Sequence, residues 1–132
     1  MTTRNVDASN ASNYLERAEQ CGNAMHHAFS DGKWYACVIN AIHAAISSAD
    51  AICVHKLGKR SAGQSHVQAA SLIAGIRPET EELKQAVKHL VSLIEAKTDA
   101  EYGERLSTQR EAENAVKHAE RLLGIAKMIL KT

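Results

Sequence analysis

Apolar residues recur along this chain at intervals of three and four, and the runs are separated by glycine, proline and capping residues. Tyr14, Ala18, Cys21, Met25 and Phe29 mark one buried helical face. They predict a helix over about 12–29, with caps available at Asn10, Ser12 and Asn13. Asp31-Gly32 breaks it, the carboxylate being placed to cap the next helix and the glycine to relax the backbone. A second helix is predicted over 33–57, with Ala36, Ala41, Ala44, Ala45, Ala49 and Ala51 along it and Gly58 in the left-handed position that ends it. Lys59 to Gly63 reads as a short basic loop. Val67, Ala70, Leu72 and Ile73 predict a short third helix stopped by Gly75, and two capping boxes, Ser61 to Gln64 and Ser65 to Gln68, compete for its start. Pro78 with Glu79, Glu81 and Glu82 predicts a fourth helix beginning at the proline, with Leu83, Val87, Leu90 and Ile94 on its face. Thr98 to Glu101 is another box-like signal, Tyr102-Gly103 a turn, and Thr108 to Glu111 a cap for a last helix. The stripe of that helix is Ala112, Ala115, Ala119, Leu122, Ala126 and Ile129. The sum is an all-α, antiparallel up-and-down bundle of five helices, one domain over 12–132 behind a disordered N-terminal tail over 1–11.

Composition sharpens this picture. The 132 residues contain 22 alanines but one Phe and one Trp, so the core must form by close approach of thin helices. At this length roughly two-thirds of the unfolded chain's surface can be buried, without disulfides or metal. A formal net charge of +1 supplies no overall field for a polyanion, so nucleic-acid binding would need a local cluster or two subunits. The polar opening lacks the apolar core of a secretory signal. The longest uncharged stretch, Trp34 to Ala49, is interrupted by polar residues and too short to cross a bilayer. The expectation is a cytoplasmic protein without a membrane partner. Cys21, Cys37 and Cys53 stand 16 residues apart with no CxxC pairing, which supports neither a disulfide framework nor a zinc site. Cys37 and Cys53 fit the role of small buried hydrophobes.

Chemistry concentrates between the second and third helices. His55 to His66 holds Lys56, Lys59, Arg60 and two imidazoles in twelve residues with no acid. Lys59, Arg60 and Gly63, with the free amides opening the third helix, could bind a phosphate. The plainer alternative is a solvated basic turn at the negative end of the second helix. Arg60 and His66 also form the minimum set for RNA cleavage by the neighbouring 2′-hydroxyl, a guanidinium for the phosphate and an imidazole for the proton. That chemistry needs no metal or cofactor, and none is expected. His66 should lean toward its neutral form at a helix N-terminus, or else it simply caps or packs there. Asn40, His43, Ser47 and Asp50 share one face of the second helix. They form either a hydrogen-bonded seam or a support in which Asp50, His43 and Ser47 orient the basic segment. His26 and His27 are adjacent and cannot share a face, while His89 and His118 read as isolated rim positions, so no metal constellation is expected. Trp34, Tyr35 and Tyr102 read as rings plugging core ends.

At this junction the sequence resembles the HEPN domain family. The resemblance is carried by Ala41-Ile42-His43-Ala44-Ala45, Ala49-Asp50-Ala51, Gly58-Lys59-Arg60 and His66, then Asp99-Ala100-Glu101-Tyr102, Glu111-Ala112-Glu113 and Ala119-Glu120-Arg121. It implies a HEPN-like helical bundle over about 12–130. In that family an Arg followed after four to six residues by His marks metal-independent ribonucleases whose two subunits appose their motifs in one cleft, and five residues separate Arg60 from His66. Two positions depart from the pattern. Ser61 stands where Asn, Asp or His is common, and Gln68 stands where toxin-like members, paired with a nucleotidyltransferase, carry Tyr. The resemblance therefore implies a homodimer acting on RNA or a nucleotide, with no DNA target. It implies either an endoribonuclease using Arg60 and His66 or a non-catalytic nucleotide-binding or protein-interaction module, with a nucleotidyltransferase as a further partner.

Overall fold

The computed structural model of the chain describes residues 2–63 and 66–131. Among these, five α-helices run as α1 (Ala11–Ser30), α2 (Trp34–Leu57), α3 (Val67–Ala74), α4 (Glu81–Tyr102) and α5 (Gln109–Lys131). Two three-residue strands, β1 (Thr3–Asn5) and β2 (Lys59–Ser61), pair antiparallel beside them. The architecture is the all-α bundle read from the sequence.

The bundle is built around α2, which packs against α1, α5, α4, α3 and β2. Twelve of its 24 residues are buried, and Ala41, Ala45, Ala49 and Ala51 have no exposed surface. A helix surrounded on most sides must be apolar on most sides, and alanine lets its neighbours approach closely. By length and composition the whole of α2 could cross a membrane, with a mean hydropathy of 1.6 over its best window, although Trp34 to Ala49 alone looked too short. Its apolar surface is instead covered by the other helices. Ile52, Ile73, Leu90, Leu93, Leu122 and Met25 are the largest fully buried side chains and fill the space that alanine leaves. Cys37 and Cys53 are fully buried, in keeping with their reading as small hydrophobes. Trp34 meets Phe29 edge-on at 5.3 Å between ring centroids, whereas Tyr35 and Tyr102 are exposed and plug nothing.

Several boundaries differ from the sequence reading, each for a local reason. The expected disordered tail instead carries β1 and a 3-10 turn over Ala8–Asn10. Backbone pairing orders it: Val6 N–H donates to the Gly58 carbonyl at 2.9 Å and Ala62 N–H to the Thr2 carbonyl at 3.1 Å. Asp7 accepts from Ser9 N–H at 2.9 Å and caps the turn. The basic loop is accordingly part of a strand, too short to leave an alternating signature. The position before α2 falls to Lys33 with no side-chain cap, so Asp31 does not serve as that cap. Pro78 does not open α4; Thr80 does, its Oγ1 accepting from Leu83 N–H at 3.2 Å, with Glu81 and Glu82 in the first turn. The Thr98 signal is absorbed into α4, which runs on to Tyr102. The last capping box forms in full: Thr108 Oγ1 accepts from Glu111 N–H at 3.2 Å and Glu111 Oε1 accepts from Thr108 N–H at 2.8 Å. Arg105 grips the same carboxylate with two bonds of 2.8 and 2.9 Å, and with the Thr108 amide holds it down to about 2. The capping boxes proposed for α3 involve Gln64 and Ser65, which lie outside the described residues.

His89 and His118 are not isolated. Their Nδ1 atoms stand 2.9 Å apart between α4 and α5, and His89 is only 8% exposed. One imidazole must donate and the other accept. Burial is the first cause holding both below the usual histidine range; His118, Arg121, Lys88 and Lys117 add to it at His89, and Lys117 and Arg121 at His118. The unfolded chain takes up protons near 6.5 while the folded pair resists them, so stability is retained above that pH and lost below it. Between pH 7.5 and 5, urea unfolding should show wild type losing stability relative to a His89→Leu, His118→Leu double variant. A difference that stays constant with pH would assign the dependence to other groups.

Candidate functional site

Two backbone features set the position of Arg60. Gly58 ends α2 in the left-handed conformation, at φ 65°, a region that penalises any residue with a Cβ. The chain then leaves along β2, where Arg60 lies opposite Arg4 and Lys59 opposite Asn5. The guanidinium is half-buried. Its Nη1 donates to the Ser61 carbonyl at 3.0 Å, its Nε is buried without a partner, and its central carbon stands 5.8 Å from the centroid of the Tyr14 ring. Arg17, four residues before Cys21 on α1, places its own guanidinium 4.9 Å from the same ring.

Asp50 of α2 is electrostatically coupled to both guanidinium groups. Burial pushes its carboxyl up to about 6, against the attraction of Arg60 first and Arg17 second. The same carboxylate, together with burial as the larger cause, pushes the Cys53 thiol up to about 12, which keeps that cysteine unreactive. Among the described residues no salt bridge joins Asp50 to either arginine, so the attraction acts across a gap. Asp50, Arg60, Arg17 and Tyr14 form one cluster drawn from α1, α2 and β2.

His66 sits immediately before α3 with no side-chain cap to the helix. It is held below the usual histidine range by burial first, then by Lys97 and His43, with Glu101 opposing. The direction agrees with the one read from its helix position, but the leading cause is desolvation rather than the helix end. The polar face of α2 thereby divides. His43 is exposed and acts on His66, while Asp50 acts on Arg60. Ser47 lies half-buried between them, and Asn40 turns back to donate to the Ala36 carbonyl at 2.9 Å. The fully buried hydroxyl on this helix belongs to Ser48, whose Oγ finds no partner.

The two positions that depart from the HEPN pattern meet each other. Ser61, 8% exposed, donates through Oγ to Gln68 Oε1 at 2.8 Å, closing the connection between β2 and α3. A Cβ at Gly63 would come within 3.2 Å of that same Oε1, so Gly63 makes room for the latch; this gives it a structural use beside the phosphate-binding role read from the sequence. Lys59 is half-buried on β2. Tyr14 was read from the sequence only as part of a buried face and Glu101 only as part of a capping signal and of the HEPN resemblance, while Arg17 and Lys97 were not singled out. They approach from α1 and α4, and the three-residue spacing of Tyr14 and Arg17 is the local signature of that pair.

No hydrogen bond or ion pair links Arg60 to His66 among the described residues. A cavity of about 560 Å³ lies elsewhere, between the end of α4 and the start of α5, with Asp99, Arg105, Glu111 and His118 on its wall. No group of three or more His, Cys, Asp or Glu side chains among the described residues could hold a metal ion.

The family model described as HEPN domain matches residues 11–129. This chain belongs to the HEPN family. No curated protein and no solved structure matches it. Membership of HEPN supports a nucleotide- or RNA-related function in general.

Two measurements test the site's construction. Because the folded carboxyl of Asp50 titrates near 6 against 3.8 for an ordinary aspartate, its stabilising contribution is present below the lower value and lost as pH rises through the upper one. Wild type should therefore gain stability relative to Asp50→Asn when urea midpoints are compared at pH 7.5 and 5; a constant difference would mean the carboxyl is not desolvated. In a double-mutant cycle, Ser61→Ala and Gln68→Ala should couple by about 1 kcal/mol, the net worth of one hydrogen bond. Additive losses would show that the latch is not formed in solution.

Proposed function

We propose that this HEPN protein is a metal-independent endoribonuclease that works as a homodimer, with Arg60 and His66 as its catalytic residues. The carrying observation is the state of Arg60: a half-buried guanidinium whose buried Nε has no partner, electrostatically coupled to a desolvated Asp50. An unpaired buried donor costs about 1–3 kcal/mol, and an arriving phosphate gives the guanidinium charge-assisted partners. His66, leaning to its neutral form, suits a base near neutral pH. In the step itself the 2′-oxygen of the RNA bonds to phosphorus while its proton passes to an imidazole. The bond from phosphorus to the 5′-oxygen breaks, and that oxygen takes a proton from an imidazolium or from water. The products are a 2′,3′-cyclic phosphate and a 5′-hydroxyl. Arg60 offsets the charge that develops on the phosphate. None of the cavities described for one chain is lined by Arg60 or His66. A second copy, related by a twofold axis, would supply the opposing wall.

A second reading rests on the Ser61 to Gln68 bond. A hydroxyl turned into the loop is not offered to a ligand, which favours a binding module that holds RNA or a nucleotide without cutting it.

Incubating labelled single-stranded RNA with the purified protein in EDTA separates the two. The nuclease should yield cyclic-phosphate ends, and RNA lacking the 2′-hydroxyl should stay whole. His66→Ala should slow cleavage by about 10²–10⁴-fold with RNA affinity largely kept, while Arg60→Ala should damage both. Intact RNA at high protein concentration, across many sequences, would leave the binding module.

A further inference from the structure

The cluster around Asp50 contains one cation that neither the packing nor the Arg60 and His66 pair requires. Arg17 is exposed on α1 and enters no ion pair among the described residues. Yet it is not loose on the surface. Its guanidinium carbon stands 4.9 Å from the Tyr14 ring centroid, and that of Arg60 stands 5.8 Å from the same centroid. Both charges act on Asp50. Two guanidinium groups gathered at one aromatic ring repel each other. The π-electrons of the ring and the half-buried Asp50 carboxylate offset that repulsion and keep both cations at Tyr14.

The two arginines differ in readiness. Arg60 is half-buried, tied to the Ser61 carbonyl and fixed by the β1–β2 ladder, so its position is set by the backbone. Arg17 has its guanidinium over Tyr14 and is otherwise open to solvent, so it can receive a ligand without giving up a partner. A mononucleotide phosphate engaged at Arg60 would leave Arg17 unused. A strand carries a further phosphate to each side of the first.

We propose that Arg17 is a second phosphate contact, neighbouring the phosphate held at Arg60, with Tyr14 as the positioning residue for both guanidinium groups, so that the ligand is an RNA strand rather than a single nucleotide. This rests on the reading of Arg60 as phosphate-binding. Contacts of this kind set the placement of a strand and carry no base preference. Each contributes its own increment to the salt dependence of binding.

The test uses the full chain, a fluorescein-labelled single-stranded RNA made uncleavable by 2′-O-methyl sugars, and AMP as the single-phosphate control. Anisotropy is measured across a salt series for the strand, and calorimetry for AMP. Arg17→Gln should weaken the strand about tenfold and lower the slope of log affinity against log salt by about 0.7, with AMP binding unchanged. Arg17→Lys should keep most of the strand affinity, and Arg60→Ala should weaken strand and AMP alike. Tyr14→Phe should bind as wild type does, and Tyr14→Leu should lose strand affinity; if Tyr14→Leu fails to fold, the two Arg17 variants decide. Wild-type strand affinity and slope in Arg17→Gln, alongside a loss in Arg60→Ala, would overturn this inference alone. An equal loss of strand and AMP in Arg17→Gln would overturn it too. A wild type with no Arg60-dependent binding of either probe would overturn the reading of Arg60 and this inference with it.

Discussion

The thinness of α2 governs the rest of the molecule. A helix with alanine at 41, 45, 49 and 51 fully buried can be approached on several sides at once, and the four other helices all pack on it. Large side chains on the partners fill the space that remains. A central helix so enclosed has little surface left for polar residues. Of those it keeps, Asp50 acts on Arg60 of β2 and on Arg17 of α1, and His43 acts on His66 at the start of α3. Close packing thus decides where a charged site can exist, and the energy of the core holds the desolvated Asp50 in place against its own tendency to reach water.

The site is assembled from distant pieces. Asp50 comes from the core helix, Arg60 from a strand whose partner is the start of the chain, His66 from the step before α3, and Tyr14 with Arg17 from α1. The polar face of α2 is the common reference, with His43 reaching one of the two candidate residues and Asp50 the other. Ser61 and Gln68 then fix the length of the bridge between them through a hydrogen bond of 2.8 Å. The two positions at which this chain departs from the pattern implied by the resemblance thus bond each other.

Helix existence was legible wherever one apolar face repeated over several turns, as in α1, α2 and α5, and where a stop was chemically unambiguous, as at Gly58. The Thr108 and Glu111 box was readable because both partners lie within one turn. Pro78 misled because proline favours a helix start but does not define one; the Thr80 hydroxyl, bonded to Leu83 N–H, does. The β1–β2 ribbon left no trace, since three residues cannot express an alternation and their pairing spans more than fifty positions of sequence. The meeting of His89 with His118 depends on the rotation of α4 against α5, which sequence periodicity fixes only coarsely. At the site, residue types pointed to Arg60, His66 and Asp50, while the Tyr14 and Arg17 contribution required the packing of α1 on α2.

One outcome of the β1–β2 pairing concerns how the guanidinium is aimed. Side chains on a strand point alternately to opposite faces, so displacing the ribbon by a single residue would turn Arg60 away from Tyr14 and Asp50 altogether. A two-stranded ribbon has little stability of its own and resists such slippage only through what flanks it. Here the flanks are the Val6 to Gly58 and Ala62 to Thr2 hydrogen bonds. The opening half-dozen residues therefore act as a measuring rule laid against the chain beyond α2, and the direction in which a charge points is decided by counting peptide units.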